Sequence, residues 1–326
     1  MKNCNEVKAL ILVLLSVFSA MTSWARPWRI WGDVSGGAKS VTMEAYIPEG
    51  SDTLKTAIIV CPGGSYHWLD KENEGRKVGE WLKANGIAAF VLHYRVAGIF
   101  AYWSHYRVLW RGNRHPDMIQ DVQRAIQLVR EKADEWGIDT NRVGVMGFSA
   151  GGHLAAMSAI YGHTNFLALL SIHPKVSVRP NFAAAIYPVV TFHDKRYVHK
   201  RSRKGLLGEL PQYTQQMQDS LSLELHITAD CPPLFILNCK NDPVVKYQNS
   251  ELLASALTVY DVPYKYIQYQ TGGHGFGASD VKGTPEARQW RNAFLEWLRA
   301  LEDKTSYARK SGDVKNSATS FYSVSL

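Results

Sequence analysis

Arg142-Val143-Gly144-Val145-Met146-Gly147-Phe148-Ser149-Ala150-Gly151-Gly152-His153-Leu154-Ala155-Ala156-Met157 decides how this chain is read. An apolar, β-branched run enters Gly147-Phe148-Ser149-Ala150-Gly151, a G-x-S-x-G element, and a run of small residues with helical spacing leaves it. Strand, sharp turn and helix in that order hold a serine hydroxyl out above a sheet, and glycines flank the serine because the backbone passes in tight contact there. An ordinary Gly-rich helix start would carry similar letters. The strand directly before it favours a nucleophile at Ser149.

Outward from this element, apolar runs at 57–62, 87–94, 182–190, 233–238 and 264–270 read as strands, and 72–84, 116–136, 150–161, 244–260 and 285–301 have helical periodicity. Near-continuous apolar strands alternating with helices predict an α/β chain with a mostly parallel central sheet and helices on both faces. The alternating run at 40–47 suits an antiparallel edge. No Pro/Gly/Ser linker interrupts the pattern, so 26–302 reads as one catalytic domain. Two stretches depart from it. An aromatic-rich insertion at 98–114 holds Phe100, Tyr102, Trp103, Tyr106 and Trp110 and is expected over the active site; a second insertion at 211–230 follows a basic run at 195–204 that reads as a solvated loop. Residues 303–326, rich in Ser and Lys, read as a polar tail.

A serine hydroxyl needs a base within hydrogen-bond reach. His274, in Gly272-Gly273-His274-Gly275-Phe276-Gly277 between the last strand and last helix, stands where the chain order Ser, acid, His puts that base. Asp242 follows the penultimate strand and is the candidate acid, with helix N-capping as its plain alternative; Asp230 is the runner-up but precedes that strand. For the oxyanion, Ala150 N–H is one donor, and Gly64 and Ser65 of Pro62-Gly63-Gly64-Ser65-Tyr66 are the others. Tyr66, His67, Trp103, Trp110 and His153 are candidates for substrate contact, although packing is the stronger reading for His153.

The 326 residues are 46% hydrophobic and 20% charged, an ordinary globular composition, and the net charge of +8 is scattered without a nucleic-acid patch. Lys2 and Lys8 precede an apolar stretch at 9–18 and the small-x-small triplet Ser23-Trp24-Ala25. Residues 1–25 therefore read as a signal peptide, too short in its apolar part for stable membrane insertion, which predicts export to the periplasm or the outside. Cys61, Cys231 and Cys239 remain after cleavage, an odd number that indicates no disulfide framework. Neither metal-site spacing nor a phosphate-binding glycine fingerprint is present, so no metal or cofactor is expected.

With those residues in place, the chain resembles the exported α/β-hydrolase-fold esterases related to hormone-sensitive lipase and to bacterial acetyl xylan esterases. The likeness spans about residues 27–301 and rests on PGGSY, HPDMIQDVQRAIQLVRE, GFSAGGHLA, SLELHITADCPPLFILNCKNDPVV and GGHGFG. It implies Ser149, Asp242 and His274 as catalytic triad and Gly64, Ser65 and Ala150 as oxyanion donors. Pro62 stands where the lipase-like enzymes carry His, which fits the carbohydrate-esterase side. The implied activity is a serine carboxylesterase that deacetylates plant polysaccharide or oligosaccharide, with an acylated carbohydrate or other small ester as substrate. Two other readings remain open. A prolyl-oligopeptidase-like serine peptidase shares the fold and triad, but no propeller precedes the hydrolase here. A non-catalytic carbohydrate-binding relic would lack a triad member, and all three are present.

Overall fold

Five of the strands are apolar on both faces, and the computed structural model sets them side by side at the centre of a nine-stranded sheet. It describes residues 27–35, 37–50, 53–104, 111–210, 213–311 and 324–325. The predicted signal peptide at 1–25, together with Tyr106 and Trp110, lies outside the described residues. The strands are β1 (Trp28–Arg29), β2 (Thr42–Tyr46), β3 (Lys55–Cys61), β4 (Ala88–His93), β5 (Ile138–Phe148), β6 (Phe182–Ile186), β7 (Leu234–Cys239), β8 (Tyr264–Tyr269) and β9 (Val324–Ser325). Their order is β1-β2-β4-β3-β5-β6-β7-β8-β9. β2 pairs antiparallel with β1 and β4, as its alternating pattern predicts, and the pairs from β4 through β9 are parallel.

Successive side chains enter opposite layers. Ile58 and Val60 of β3 join Phe148, Trp290 and Phe294 on one face, whereas Ile59 and Cys61 join Met118, Val122 and Leu154 on the other. Double-sided burial of this kind is what continuous apolar strands require. Beyond β4, Asp121 is fully buried; it accepts from Arg95 Nε at 3.0 Å and from Trp31 Nε1 at 2.8 Å. The chain is thus anchored where the aromatic insertion leaves the sheet.

Several boundaries differ from the sequence-based expectation. The helix expected from 244 begins as Gln248–Val259, because Asp242 Oδ1 first takes the N–H groups of Val244 (2.8 Å) and Val245 (3.0 Å) in a turn. The segment expected as helix over 72–84 opens with a wide turn, Glu72–Arg76, before Lys77–Ala84. β6 stops at Ile186 because Tyr187 takes φ +39°. The basic run is not wholly a loop: Lys200–Leu207 is helical, and its Leu206 and Leu207 are buried. The expected tail is also partly ordered, since helix Trp290–Ser311 extends into it and Val324–Ser325 lies beside β8. Among the described residues, no helix is long and apolar enough to cross a membrane.

Candidate active site

β5 ends at Phe148, and Ser149 turns through φ +54°, ψ −117° into helix Ala150–Ile160. A non-glycine residue there costs on the order of 1–3 kcal/mol and persists only when its surroundings enforce it. They do. Ser149 N–H donates to Ile186 O at 2.9 Å, and Ser149 O accepts from Val189 at 3.2 Å. The flanking glycines have no space for a side chain: a Cβ on Gly147 would stand 1.9 Å from Gly151 O, and one on Gly151 would stand 2.0 Å from Cys61 O. The G-x-S-x-G spacing is therefore a packing requirement as well as a conformational one.

His274 enters from the loop after β8. Its Nε2 lies 2.8 Å from Ser149 Oγ, and its Nδ1 lies 2.6 Å from Asp242 Oδ2. Asp242, its side chain buried at the end of β7, spends its other oxygen on the Val244 and Val245 amides. The capping and orienting readings of Asp242 thus coexist, one on each oxygen. Asp230 is far from this group in role and setting: its carboxylate pairs with His163 on the surface.

The turn after β3 packs against the serine. A Cβ on Gly63 would meet Ser149 Cβ at 2.9 Å, and Gly64 (φ +138°) has the Trp68 carbonyl where a side chain would go. Gly63 N–H is committed to Glu74 Oε2 at 2.7 Å. Among the described residues, the Gly64 and Ser65 amides donate to no backbone carbonyl. Ala150 N–H stands at the first position of its helix, where an amide has no intrahelical acceptor and the helix dipole favours negative charge.

Two participants escaped the sequence reading. Glu74, only 3% exposed, bridges both loops: Oε2 holds Gly63, and Oε1 accepts the Tyr187 hydroxyl at 2.8 Å. That hydroxyl accepts Gly277 N–H at 2.9 Å, and the Tyr187 ring lies 4.6 Å from the His274 ring. Burial raises the Glu74 pKa, and the nearby His274 charge opposes that rise. In sequence, Glu74 looks like any acidic residue in a first helical turn; nothing local says it is buried. Glu74→Gln keeps the shape and removes the charge. We expect kcat for an aryl ester to fall about tenfold, less than the roughly 10²- to 10⁴-fold that a positioned acid–base group contributes, because Glu74 acts through its neighbours. The acid limb of the pH profile of kcat/KM should move to lower pH, because loss of a nearby negative charge disfavours the imidazolium. A pH-rate series checks both; an unmoved limb would reduce Glu74 to packing.

The remaining candidates divide. Tyr66 and His153 are fully buried and bonded to each other, Tyr66 Oη to His153 Nδ1 at 2.8 Å, while His153 Nε2 meets Leu221 O at 2.9 Å. Burial pushes the His153 pKa down to about 4, so its ring is a neutral packing group at pH 7. Tyr66 thus lies in the core rather than at a surface, and His153 packs as its stronger reading held. His67 is also buried, edge-on to Tyr102. Trp103, in the short helix Ile99–Trp103, is 76% exposed and packs its edge on Tyr102 at 4.9 Å. Cys61, Cys231 and Cys239 are free, buried thiols, and among the described residues no group of three or more His, Cys, Asp or Glu is arranged to hold a metal.

Sheet order and the points where its loops leave define the class: this is an α/β-hydrolase fold. Residues 43–257 match the BD-FAE family, and the chain is 32% identical over 240 residues to an acetylxylan esterase of Xylanibacter ruminicola, covering 72% of this chain and 43% of that protein. The chain belongs to the BD-FAE family. It is also 30% identical over 234 residues to endo-1,4-beta-xylanase B of Butyrivibrio fibrisolvens, covering 71% of this chain and 34% of that protein. The chain spans less than half the length of these two curated relatives. Among solved structures, an acetyl ester-xyloside bifunctional hydrolase from Caldicellulosiruptor lactoaceticus superposes with a TM-score of 0.72 at 29% identity, over 86% of this chain and 98% of that one.

Proposed function

We propose that the chain is an exported serine carboxylesterase that removes acetyl groups from plant polysaccharide or oligosaccharide through an acyl-enzyme on Ser149. The observation that carries this reading is the continuous hydrogen-bonded run from Ser149 Oγ through the His274 ring to Asp242. Asp242 holds the His274 proton on Nδ1, leaving Nε2 as acceptor. As Ser149 Oγ adds to the ester carbonyl, its proton passes to Nε2, and the Asp242 carboxylate stabilises the imidazolium. The negative oxygen of the tetrahedral adduct is received by the Gly64, Ser65 and Ala150 amides. Collapse of the adduct breaks the bond to the alcohol, which leaves with the proton from Nε2. Water then repeats the sequence on the acyl-serine and releases acetate.

A Ser-His-Asp run serves ester and amide chemistry alike, so the choice of an acetylated glycan draws on the likeness to the acetylxylan esterase and the acetyl ester-xyloside hydrolase. The exposed Trp103 ring offers a flat apolar face suited to the C–H face of a sugar. Export draws on the charge and hydropathy pattern of residues 1–25. The test is acetate release from acetylated xylo-oligosaccharides set against hydrolysis of an aminoacyl anilide. We expect turnover of the first alone, and a higher KM for the oligosaccharide in Trp103→Ala. Preferred cleavage of the anilide would favour the peptidase reading.

A further inference from the structure

We propose that Arg201 forms a carboxylate-binding subsite beside the active site, so that the preferred substrates are acylated glycans carrying a uronate. This inference rests on the esterase reading of Ser149. Helix Lys200–Leu207 lies directly on the turn that carries the expected oxyanion donors: a Cβ on Gly205 would stand 2.4 Å from Ser65 O and 2.8 Å from Tyr66 Cβ. The helix is thereby seated against that turn. His199, one residue before the helix, is close enough to His274 and Asp242 for their charges to act on it.

The helix contains Lys200, Arg201, Arg203 and Lys204 and no acidic residue. Its cations are differently engaged. Lys204 pairs with Glu209 at 2.8 Å, and Arg203 donates to Gln218 at 3.1 Å and lies over the Tyr213 ring. Arg201 has no carboxylate partner among the described residues; its guanidinium lies 5.5 Å from the Trp68 ring centre and 5.9 Å from that of Tyr102. Ring contacts hold the cation without using up its N–H groups, and the planar acceptor that matches their fork is a carboxylate. Trp68 belongs to the oxyanion turn itself, with its Cδ1 2.8 Å from where a Gly64 Cβ would be. The position of Arg201 is therefore tied to the serine through one short loop.

The remaining surroundings suit a sugar acid more than a small anion. Phe100 (67% exposed) and Trp103 lie on the same short helix as Tyr102 and extend the aromatic ledge outward. A sugar ring on that ledge would present a ring carboxylate to Arg201 while its neighbour's ester reaches Ser149. Burial, reinforced by the Arg201 charge, holds the His199 pKa at about 4, so that histidine is neutral at pH 7 and does not compete with Arg201 as a charged donor.

The experiment compares kcat/KM of the full chain for acetylated xylo-oligosaccharides bearing a glucuronate branch with that for the same material after reduction of the carboxyl to an alcohol. Wild type should prefer the uronate about tenfold, the scale of an exposed charge-assisted bidentate contact. Arg201→Gln should bring the ratio to about one, and Arg201→Lys, which keeps the charge without the fork, should fall between. Equal rates on the two substrates with wild type, a measurement independent of any variant, would overturn the proposal, as would an undiminished preference in a folded Arg201→Gln protein. Failure of wild type to hydrolyse p-nitrophenyl acetate would instead remove the underlying esterase reading.

Discussion

Ser149→Ala is expected to lower kcat for p-nitrophenyl acetate by roughly 10⁴- to 10⁶-fold, the range found when the nucleophile of such a unit is removed. In the proposed mechanism the hydroxyl supplies the covalent intermediate, and the nearby Tyr187 hydroxyl is already committed, donating to Glu74 and accepting from Gly277. Alanine keeps the Cβ that packs against Gly63, and it leaves the backbone bonds to Ile186 and Val189 in place. The melting temperature should consequently stay within a few degrees of wild type. An active-site phosphonate should label the wild type and leave the variant unlabelled. Near-normal turnover by a folded Ser149→Ala protein would end the acyl-enzyme proposal.

Asp242→Asn is expected to cost about 10³- to 10⁴-fold in kcat, a loss of the size that follows from holding the base in the wrong tautomer. The amide oxygen of Asn can still accept the Val244 and Val245 N–H groups, so the turn after β7 survives. Its NH₂ then faces His274 Nδ1 where a carboxylate oxygen lay at 2.6 Å. The imidazole must accept on Nδ1 and carry its proton on Nε2, which leaves it unable to take the serine proton. Asp230→Asn provides the contrast, because Asp230 is paired with His163 on the surface. Its kcat should remain within about twofold, as for most exposed substitutions. An inactive Asp230 variant beside an active Asp242 variant would reverse the assignment.

The fold class was legible because strand burial leaves its mark on every residue of a strand. AIIVC and LFILNC are apolar on both faces, which only a sheet covered on both sides accommodates. Placement of Ser149, Asp242 and His274 was legible for a related reason: each follows a strand whose end can be seen in the letters, and parallel strands deliver those ends to one edge. Element boundaries were less so. Nothing in the letters separates 244–260 into a turn closed by Asp242 and a helix from Gln248, since the turn depends on which carboxylate oxygen His274 leaves unused.

By itself, then, the sequence determined what local pattern encodes: the alternation of strand and helix, the glycines of the elbow, and the chain order of serine, acid and histidine. Only the tertiary structure decided which polar residues would be buried and what they would meet. Glu74 is an ordinary acidic letter near a helix start until Gly63, Tyr187 and the His274 loop close around it. Arg201 is one basic residue among several until Gly205 seats its helix on Ser65 and Trp68 takes up its guanidinium. Tyr66 stands in the letters beside the glycines of a turn, and only the fold bonds it to His153 in the core. The physical reason is common to all four. Backbone periodicity is set by neighbours in the chain, whereas desolvation, hydrogen-bond partnership and charge environment are set by residues tens to more than a hundred positions away, such as Glu74 and Tyr187 at a separation of 113.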